Sequence, residues 1–479
     1  MKKSIKILLI LLVPTIISIS NLFAKNDWLA VKYKNDGANR FLAIHLNDLD
    51  SLTYIAFSDS TDSLPPATPT SVRIDFAGSE GLEVPIDSIR EIKIRSNIPT
   101  LYLTTDSLLD EVKEKDLYLS ASLAYYPTDG LTDSLAVAVN IKGRGNTTWE
   151  MPKKPYRLKF DKKQSLAGME RAKNYVLIAN YLDNTLMKNA VAFEMARLLE
   201  MPYVNTPVPV NLVFNGQERG CYMLTQKIGI NAGSADFDEY YGMLWEIDSY
   251  YDEEYRFRSI RYDLPCMVKD PDFLEIAEQD SVTAQALWNY WKADLDLALA
   301  KAYNGKWKEV FDADQLVKYV LVNHLMGNFE ISQAKSIYLY KRAPGEKYCF
   351  GPVWDFDWAL GFAEHSYPVH CQLAIYGTAA YQFWVNIFSD KEFLELFNQE
   401  LEKFLAEDYD NLMNFIDAYA EQIRISADLD SRLWPEERFY GFEQREINKV
   451  RFEENVELLK EYIYTRLAHI LDHPQKLLF

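Results

Sequence analysis

Gly351-Pro352-Val353-Trp354-Asp355-Phe356-Asp357-Trp358 is the sharpest local pattern in the chain. Read as a strand, it puts Trp354, Phe356 and Trp358 on one face and Asp355 and Asp357 on the other. The two acids then stand about 6.5–7 Å apart along the chain. Side chains at that separation can converge on one divalent cation, or on a metal and its bound water. Packing the aromatic face brings two like charges near a core, where they need a counter-ion. Oxygen-only ligands suit Mg²⁺, Mn²⁺ or Ca²⁺ rather than zinc. The competing reading is a surface turn with two solvated acids.

Upstream, Gly327-Asn328-Phe329-Glu330 closes a helical stretch, and Lys335-Ser336-Ile337-Tyr338-Leu339-Tyr340-Lys341 opens a hairpin whose return strand carries the two acids. That order is similar to a kinase catalytic layout, in which a loop carboxylate orients the acceptor hydroxyl and a loop amide helps to hold metal. Glu330 is then the candidate base; on local sequence alone it could equally be a solvated loop glutamate.

A basic island lies earlier, at Lys142-Gly143-Arg144-Gly145-Asn146-Thr147-Thr148-Trp149 and Lys153-Lys154-Pro155-Tyr156-Arg157-Leu158-Lys159-Phe160. A Gly-bearing turn between two strands can hold phosphates through backbone N–H groups and projecting cations. Arg157 and Lys159 alternate with Leu158 and Phe160 and so share one face. Alone, such a face is usually just solvated; beside an acidic metal centre, a nucleotide would bridge the two. Leu244-Trp245-Glu246-Ile247-Asp248 repeats the spacing of acids at i and i+2, with a polar strand face as its plain alternative.

The bulk properties narrow the function classes. A formal charge of −19 argues against nucleic acid, whose phosphates demand a basic surface, and favours divalent metals or Lys/Arg-rich protein segments as partners. Lys2, Lys3 and Lys6 precede an apolar run from Ile7 to about Ile19 that ends near Phe23-Ala24, the pattern of a secretory signal over residues 1–24. Export is therefore expected, to the periplasm, cell surface or medium, with no spanning segment beyond the signal. Cys221, Cys266, Cys349 and Cys371 have no metal-finger spacing, and the sequence leaves disulfides and buried thiols equally open.

Residues 25–97 read as a small β accessory domain of two related hairpin units, FLAIHLNDLDSLTYIAF from Phe41 and GLEVPIDSIREIKI from Gly81, separated by a Ser60–Pro69 linker. Strand-like stretches dominate from Pro99 to about Ile230, interrupted by a helix over Leu186–Leu199. Asn215-Gly216 between two of them is a hairpin signal. Helical periodicity follows at Ala284–Ala302, Ala313–Leu325, Tyr381–Phe388, Glu392–Phe404 and Phe452–Leu471. The pattern predicts an α+β enzyme of two lobes over residues 98–479, β-rich first and helical second.

In this order the motifs resemble the CotH kinase family. The matching residues are Arg144-Gly145-Asn146-Thr147-Thr148-Trp149, Lys154-Pro155-Tyr156-Arg157-Leu158-Lys159-Phe160, Asn174 to Asn180 with Asp183, Asn215-Gly216 through Gly220 and Tyr222, Asn328-Phe329-Glu330, and Gly351 to Trp358. The resemblance implies an atypical, protein-kinase-like fold that uses ATP and Mg²⁺ or Mn²⁺ to phosphorylate Ser on secreted or surface proteins, in basic segments if the acidic charge selects them. It makes Asp355 a metal ligand and catalytic residue supported by Asp357, with Arg144, Asn146, Arg157 and Lys159 on the nucleotide. Two positions depart from the family pattern. Glu330 stands where members commonly have Asp, and Thr225-Gln226-Lys227 lacks a Glu that members often carry. A non-catalytic, kinase-like binding or adhesion module is thus the alternative. A retaining glycosidase would need carboxyls about 5–5.5 Å apart pointing across a cleft, and two acids on one strand face point the same way.

Overall fold

The computed structural model describes residues 28–33, 41–45, 49–55, 71–76, 81–85, 87, 89–95, 98–106, 112–127, 135–361, 369–435 and 451–473. The expected export signal and the Ser60–Pro69 linker lie outside the described residues. Six strands come first: β1 (Trp28–Tyr33), β2 (Phe41–His45), β3 (Leu49–Ile55), β4 (Ser71–Phe76), β5 (Leu82–Pro85) and β6 (Ile89–Arg95). They form two three-stranded sheets, ordered β2-β1-β6 and β3-β4-β5. The two related units recur as β1–β3 and β4–β6, but neither closes as a hairpin of its own two runs. β2 pairs with β1 and β3 with β4, while β5 pairs with β4 and β6 with β1. Local alternation specifies a strand but not its partner, and an Asp-bearing turn serves a bend between sheets as well as a hairpin.

Seven further strands close a barrel: β7 (Thr100–Thr105), β8 (Leu119–Tyr126), β9 (Leu135–Gly143), β10 (Tyr156–Gln164), β11 (Ala172–Ile178), β12 (Val208–Phe214) and β13 (Gln217–Gln226), in the order β10-β11-β13-β12-β7-β8-β9. Period-two alternation splits β11 and β13 between two cores. Leu158, Tyr175, Leu177 and Leu224 fill the barrel. Val176, Ile178 and Met223 point outwards into a second core shared with the helices. The Asn215-Gly216 turn has positive φ at both residues, as the hairpin signal requires.

A five-stranded sheet follows, ordered β15-β16-β14-β17-β18, from β14 (Met243–Ile247), β15 (Arg256–Arg258), β16 (Pro265–Asp270), β17 (Ile337–Lys341) and β18 (Cys349–Phe350). The helices are α1 (Thr147–Glu150), α2 (Lys188–Leu198), α3 (Phe273–Gln279), α4 (Ser281–Tyr303), α5 (Trp307–Val310), α6 (Ala313–Leu325), α7 (Tyr381–Phe388), α8 (Lys391–Glu407), α9 (Tyr409–Leu433) and α10 (Phe452–Asp472). The class is α+β, as periodicity predicts, and α6 and α7 have the predicted bounds. All four cysteines are free thiols. Among the described residues no helix is long and apolar enough to cross a membrane.

One buried ion pair fastens α9 to the barrel. Lys153 Nζ donates to Asp430 Oδ1 at 2.6 Å and to the Cys221 carbonyl at 2.6 Å. The Cys221 N–H donates to the same Asp430 oxygen at 2.9 Å. Gly220 makes room for that carboxylate, since a Cβ there would lie 2.1 Å from Asp430 Oδ1.

Candidate active site

The aspartate stretch is a loop, which corrects the expectation of a strand. β18 ends at Phe350, and Asp355 has φ +66°, the left-handed region that interrupts any strand alternation. The aromatic residues accordingly do not share one face. Trp354 and Phe356 are buried, whereas Trp358 is half-buried in a cleft. Asp357 is buried and Asp355 half-buried.

Groups from several elements hold this loop. The Asn189 side chain, on α2, accepts the Phe356 N–H at 2.9 Å and donates to Asp357 Oδ1 at 2.5 Å. Ser336 Oγ donates to Asp355 Oδ2 at 3.1 Å. Asn328 Nδ2 donates to the Asp355 carbonyl at 3.3 Å and to Asn323 Oδ1 at 3.0 Å. Asn189 in turn depends on the turn before α2. Asp183 accepts from Thr185 and the Lys188 N–H, and Asn180 Oδ1 accepts from Asn189.

The cleft has a volume of about 460 Å³, within the range of ligand sites. Arg144, Asn146, Arg157, Glu330, Asp355 and Asp357 all line it. Lys159 does not. It shares the outer face of β10 with Arg157, and both lie over the Tyr118 ring, but Lys159 is exposed beyond the cleft. The barrel supplies a cationic wall of Lys142, Arg144, Arg157 and Lys227; Glu246, Asp248, Glu330, Asp355 and Asp357 form an acidic one.

Local packing shapes the cationic wall. Gly143 lets the Trp149 ring close over the turn, since a Cβ there would lie 2.4 Å from it. The turn is tied back by the Arg144 N–H to the Pro155 carbonyl at 3.3 Å and by Lys154 Nζ to the Trp149 carbonyl at 2.7 Å. Arg144 reaches the acidic loop, its guanidinium 5.8 Å from the centre of the Trp354 ring, a cation–π contact.

Electrostatics mark the acidic wall as short of positive charge. Burial, then the charge of Asp355, pushes the Asp357 carboxyl up to about 7. Burial, then Asp355, holds Glu330 well above the usual carboxylate range. Asp355 is itself raised by burial, with Arg144 and the Ser336 hydroxyl acting in the opposite direction. Burial and the Glu246 charge lift Asp248 to about 6. Among the described residues no group of three or more His, Cys, Asp or Glu side chains gathers as a metal-binding set. Asp355 and Asp357 could still carry Mg²⁺, which ordinarily takes one or two carboxylates and completes its shell with phosphate oxygens and water.

Several lining residues carry no strong local signal. Lys227 follows β13 directly, and Lys269 on β16 pairs with Glu246 at 2.6 Å. Tyr338 Oη donates to the other Glu246 oxygen at 2.5 Å. The Ser336 N–H donates to Asp248 Oδ2 at 2.9 Å, so Ser336 joins Asp248 to Asp355. Only the paired spacing of Glu246 and Asp248 was a pointer to this group. Asn189 and Lys227 are polar residues at unremarkable positions in a helix and at a strand end.

No curated protein matches the chain significantly. A family model described as CotH kinase protein matches residues 141–470, from the end of β9 through most of α10. The match takes in the glycine turn, both walls of the cleft and the helices behind them, and the chain belongs to the CotH kinase protein family.

Proposed function

We propose that this chain is an exported, metal-dependent atypical protein kinase that transfers the γ-phosphate of ATP to serine in secreted or envelope proteins. In this reading the barrel serves as the first lobe, the five-stranded sheet and helices as the second, and the cleft as the nucleotide site. The observation that carries it is the opposition of two walls in one cleft, cations on the barrel and paired acids across from them. A nucleotide needs both, phosphates on one side and a cation between phosphates and carboxylates on the other.

Asp355 and Asp357 would hold Mg²⁺ or Mn²⁺, whose contribution is to neutralise charge on the phosphate oxygens. Arg144, Arg157 and the backbone of the Gly143–Asn146 turn orient the phosphate chain. Glu330, when ionised, accepts the proton of the serine hydroxyl as that oxygen bonds to the γ-phosphorus and the bridge to the β-phosphate breaks. Asp116, Asp252 and Glu253 on the cleft lining favour acceptor segments with Lys or Arg near the serine. Export rests on the signal-like residues 1–24.

One observation favours a second reading, a kinase-like binding module. Glu330 stands where the family pattern commonly has the shorter Asp, and burial followed by Asp355 holds its carboxyl well above the usual carboxylate range, which works against the ionised form that accepts a proton. Autophosphorylation and ATP consumption by the mature protein with Mg²⁺ or Mn²⁺, beside Asp355→Ala, separate the two. Transfer that is lost in the variant supports the kinase. ATP binding without transfer supports the module, and no ATP binding at all removes both nucleotide readings.

A further inference from the structure

We propose that Lys227, and not Lys159, is the lysine that binds the phosphate chain, set beside Arg157 by Asn174. The inference deepens the nucleotide reading and rests on it for the identity of the ligand.

Asn174 on β11 faces both cations. Its side-chain oxygen accepts from Arg157 Nε at 3.3 Å and Nη2 at 2.9 Å, and its backbone carbonyl accepts the Lys227 N–H at 3.1 Å. The strand order β10-β11-β13 places Arg157 and Asn174 on neighbouring strands and Lys227 one residue past the end of the third. The alternation that sends Leu158, Tyr175 and Leu224 into the barrel turns Arg157, Asn174 and Lys227 outwards. Arg157 and Lys227 line the cleft, and Lys159, two residues beyond Arg157, does not.

Lys227 is also short of a counter-charge. Among the described residues no carboxylate lies within ion-pair distance of its ammonium. Two other lysines that line the cleft near it already have carboxylates, Lys269 with Glu246 at 2.6 Å and Glu253 at 3.5 Å, and Lys142 with Asp116 at 4.0 Å. The groups around Lys227 are Arg157 on β10, Lys269 and Asp270 on β16, and Glu253. Burial, followed by Arg157 and Lys269, lowers the Lys227 ammonium to about 8. A half-buried cation flanked by two others has strong reason to accept an anion with several negative oxygens. A polyphosphate fits that demand better than a single carboxylate.

The test is equilibrium binding to the full chain by calorimetry, with ATP–Mg²⁺, inorganic tripolyphosphate and adenosine as probes. Lys227→Met should weaken ATP and tripolyphosphate by about tenfold or more, the loss of one charge-assisted contact, with adenosine unchanged. Lys159→Met should change none of them by more than about twofold. Lys227→Arg tests folding and charge together. It should restore binding and remove the decline in affinity that the wild type shows above about pH 8 as its lysine loses its proton. Equal binding of ATP and tripolyphosphate by wild type and Lys227→Met would overturn the assignment and leave the nucleotide reading standing. Tripolyphosphate binding that needs Lys227, in a protein that ignores ATP, would keep the phosphate site and remove the kinase. Binding of neither ligand by the wild type would remove both.

Discussion

Asp357→Asn should make the metal-free protein more stable at pH 8 and change it by only about 1 kcal/mol at pH 4.5. The carboxyl is raised from an ordinary 3.8 to about 7, first by burial and then by Asp355. Between those values the folded chain keeps a proton that the unfolded chain has released, so stability falls as pH rises. Across that window the cost reaches about 4 kcal/mol, an upper bound because Asp355 shares the same repulsion. Asp248, raised to about 6, has the same sign, but it is present in both proteins and drops out of the comparison. Lys227, lowered to about 8, changes stability only above that pH and also cancels. Asparagine keeps the oxygen that accepts from Asn189, so the variant removes charge with little change of shape. Thermal denaturation in chelator at about pH 4.5, 6 and 8 reads the effect, and the two melting curves should separate by roughly 5 °C at the highest pH. Mg²⁺ or Mn²⁺ should then raise the wild-type midpoint more at pH 8 than at pH 6 and the variant's little at either. Parallel pH profiles for the two proteins would refute the view of Asp357 as a buried acid short of a cation.

Two further changes probe the site and its support. Glu330→Gln should lower phosphate transfer by about 10²–10⁴-fold while ATP binding persists, measured by single-turnover transfer beside calorimetry; unchanged transfer would exclude Glu330 as the proton acceptor. Lys153→Met leaves the Asp430 carboxylate buried without its counter-ion and should cost about 3–5 kcal/mol in urea unfolding, and Lys153→Met with Asp430→Leu should recover much of it.

What was legible in the sequence is what local chemistry decides. Asn215-Gly216 specifies its own turn, and α6 runs over the residues its apolar spacing predicts because Asp312 caps it from the preceding position. The basic island and the acids of the later loop were recognisable by residue type, and the barrel brings them to one cleft. Partnership was not legible. β2 and β3 look like a hairpin until β1 and β4 take them. β14 and β16 are short apolar runs that pair with each other, and β14 takes its second neighbour from β17, nearly a hundred residues away. Lys159 and Lys227 could not be ranked, since which cation reaches the cleft depends on the register of three strands.

The misread conformation of Asp355 has a physical reason that bears on function. A non-glycine residue at φ +66° costs about 1–2 kcal/mol, and a second carboxylate two residues away adds repulsion. An ordinary loop would relax both by turning one acid into water. Here Asn189 from α2, Asn328 from the loop after α6 and Ser336 ahead of β17 hold the loop between them. Two of the three contacts fall on the acids' own oxygens, so the donors fix where the negative charge stands as well as the backbone. Strain and repulsion concentrated in one stretch, held by donors drawn from separate elements, contribute little to folding. They keep two carboxylates facing a cationic wall with less positive charge between them than they need, a deficit that a bound cation would relieve.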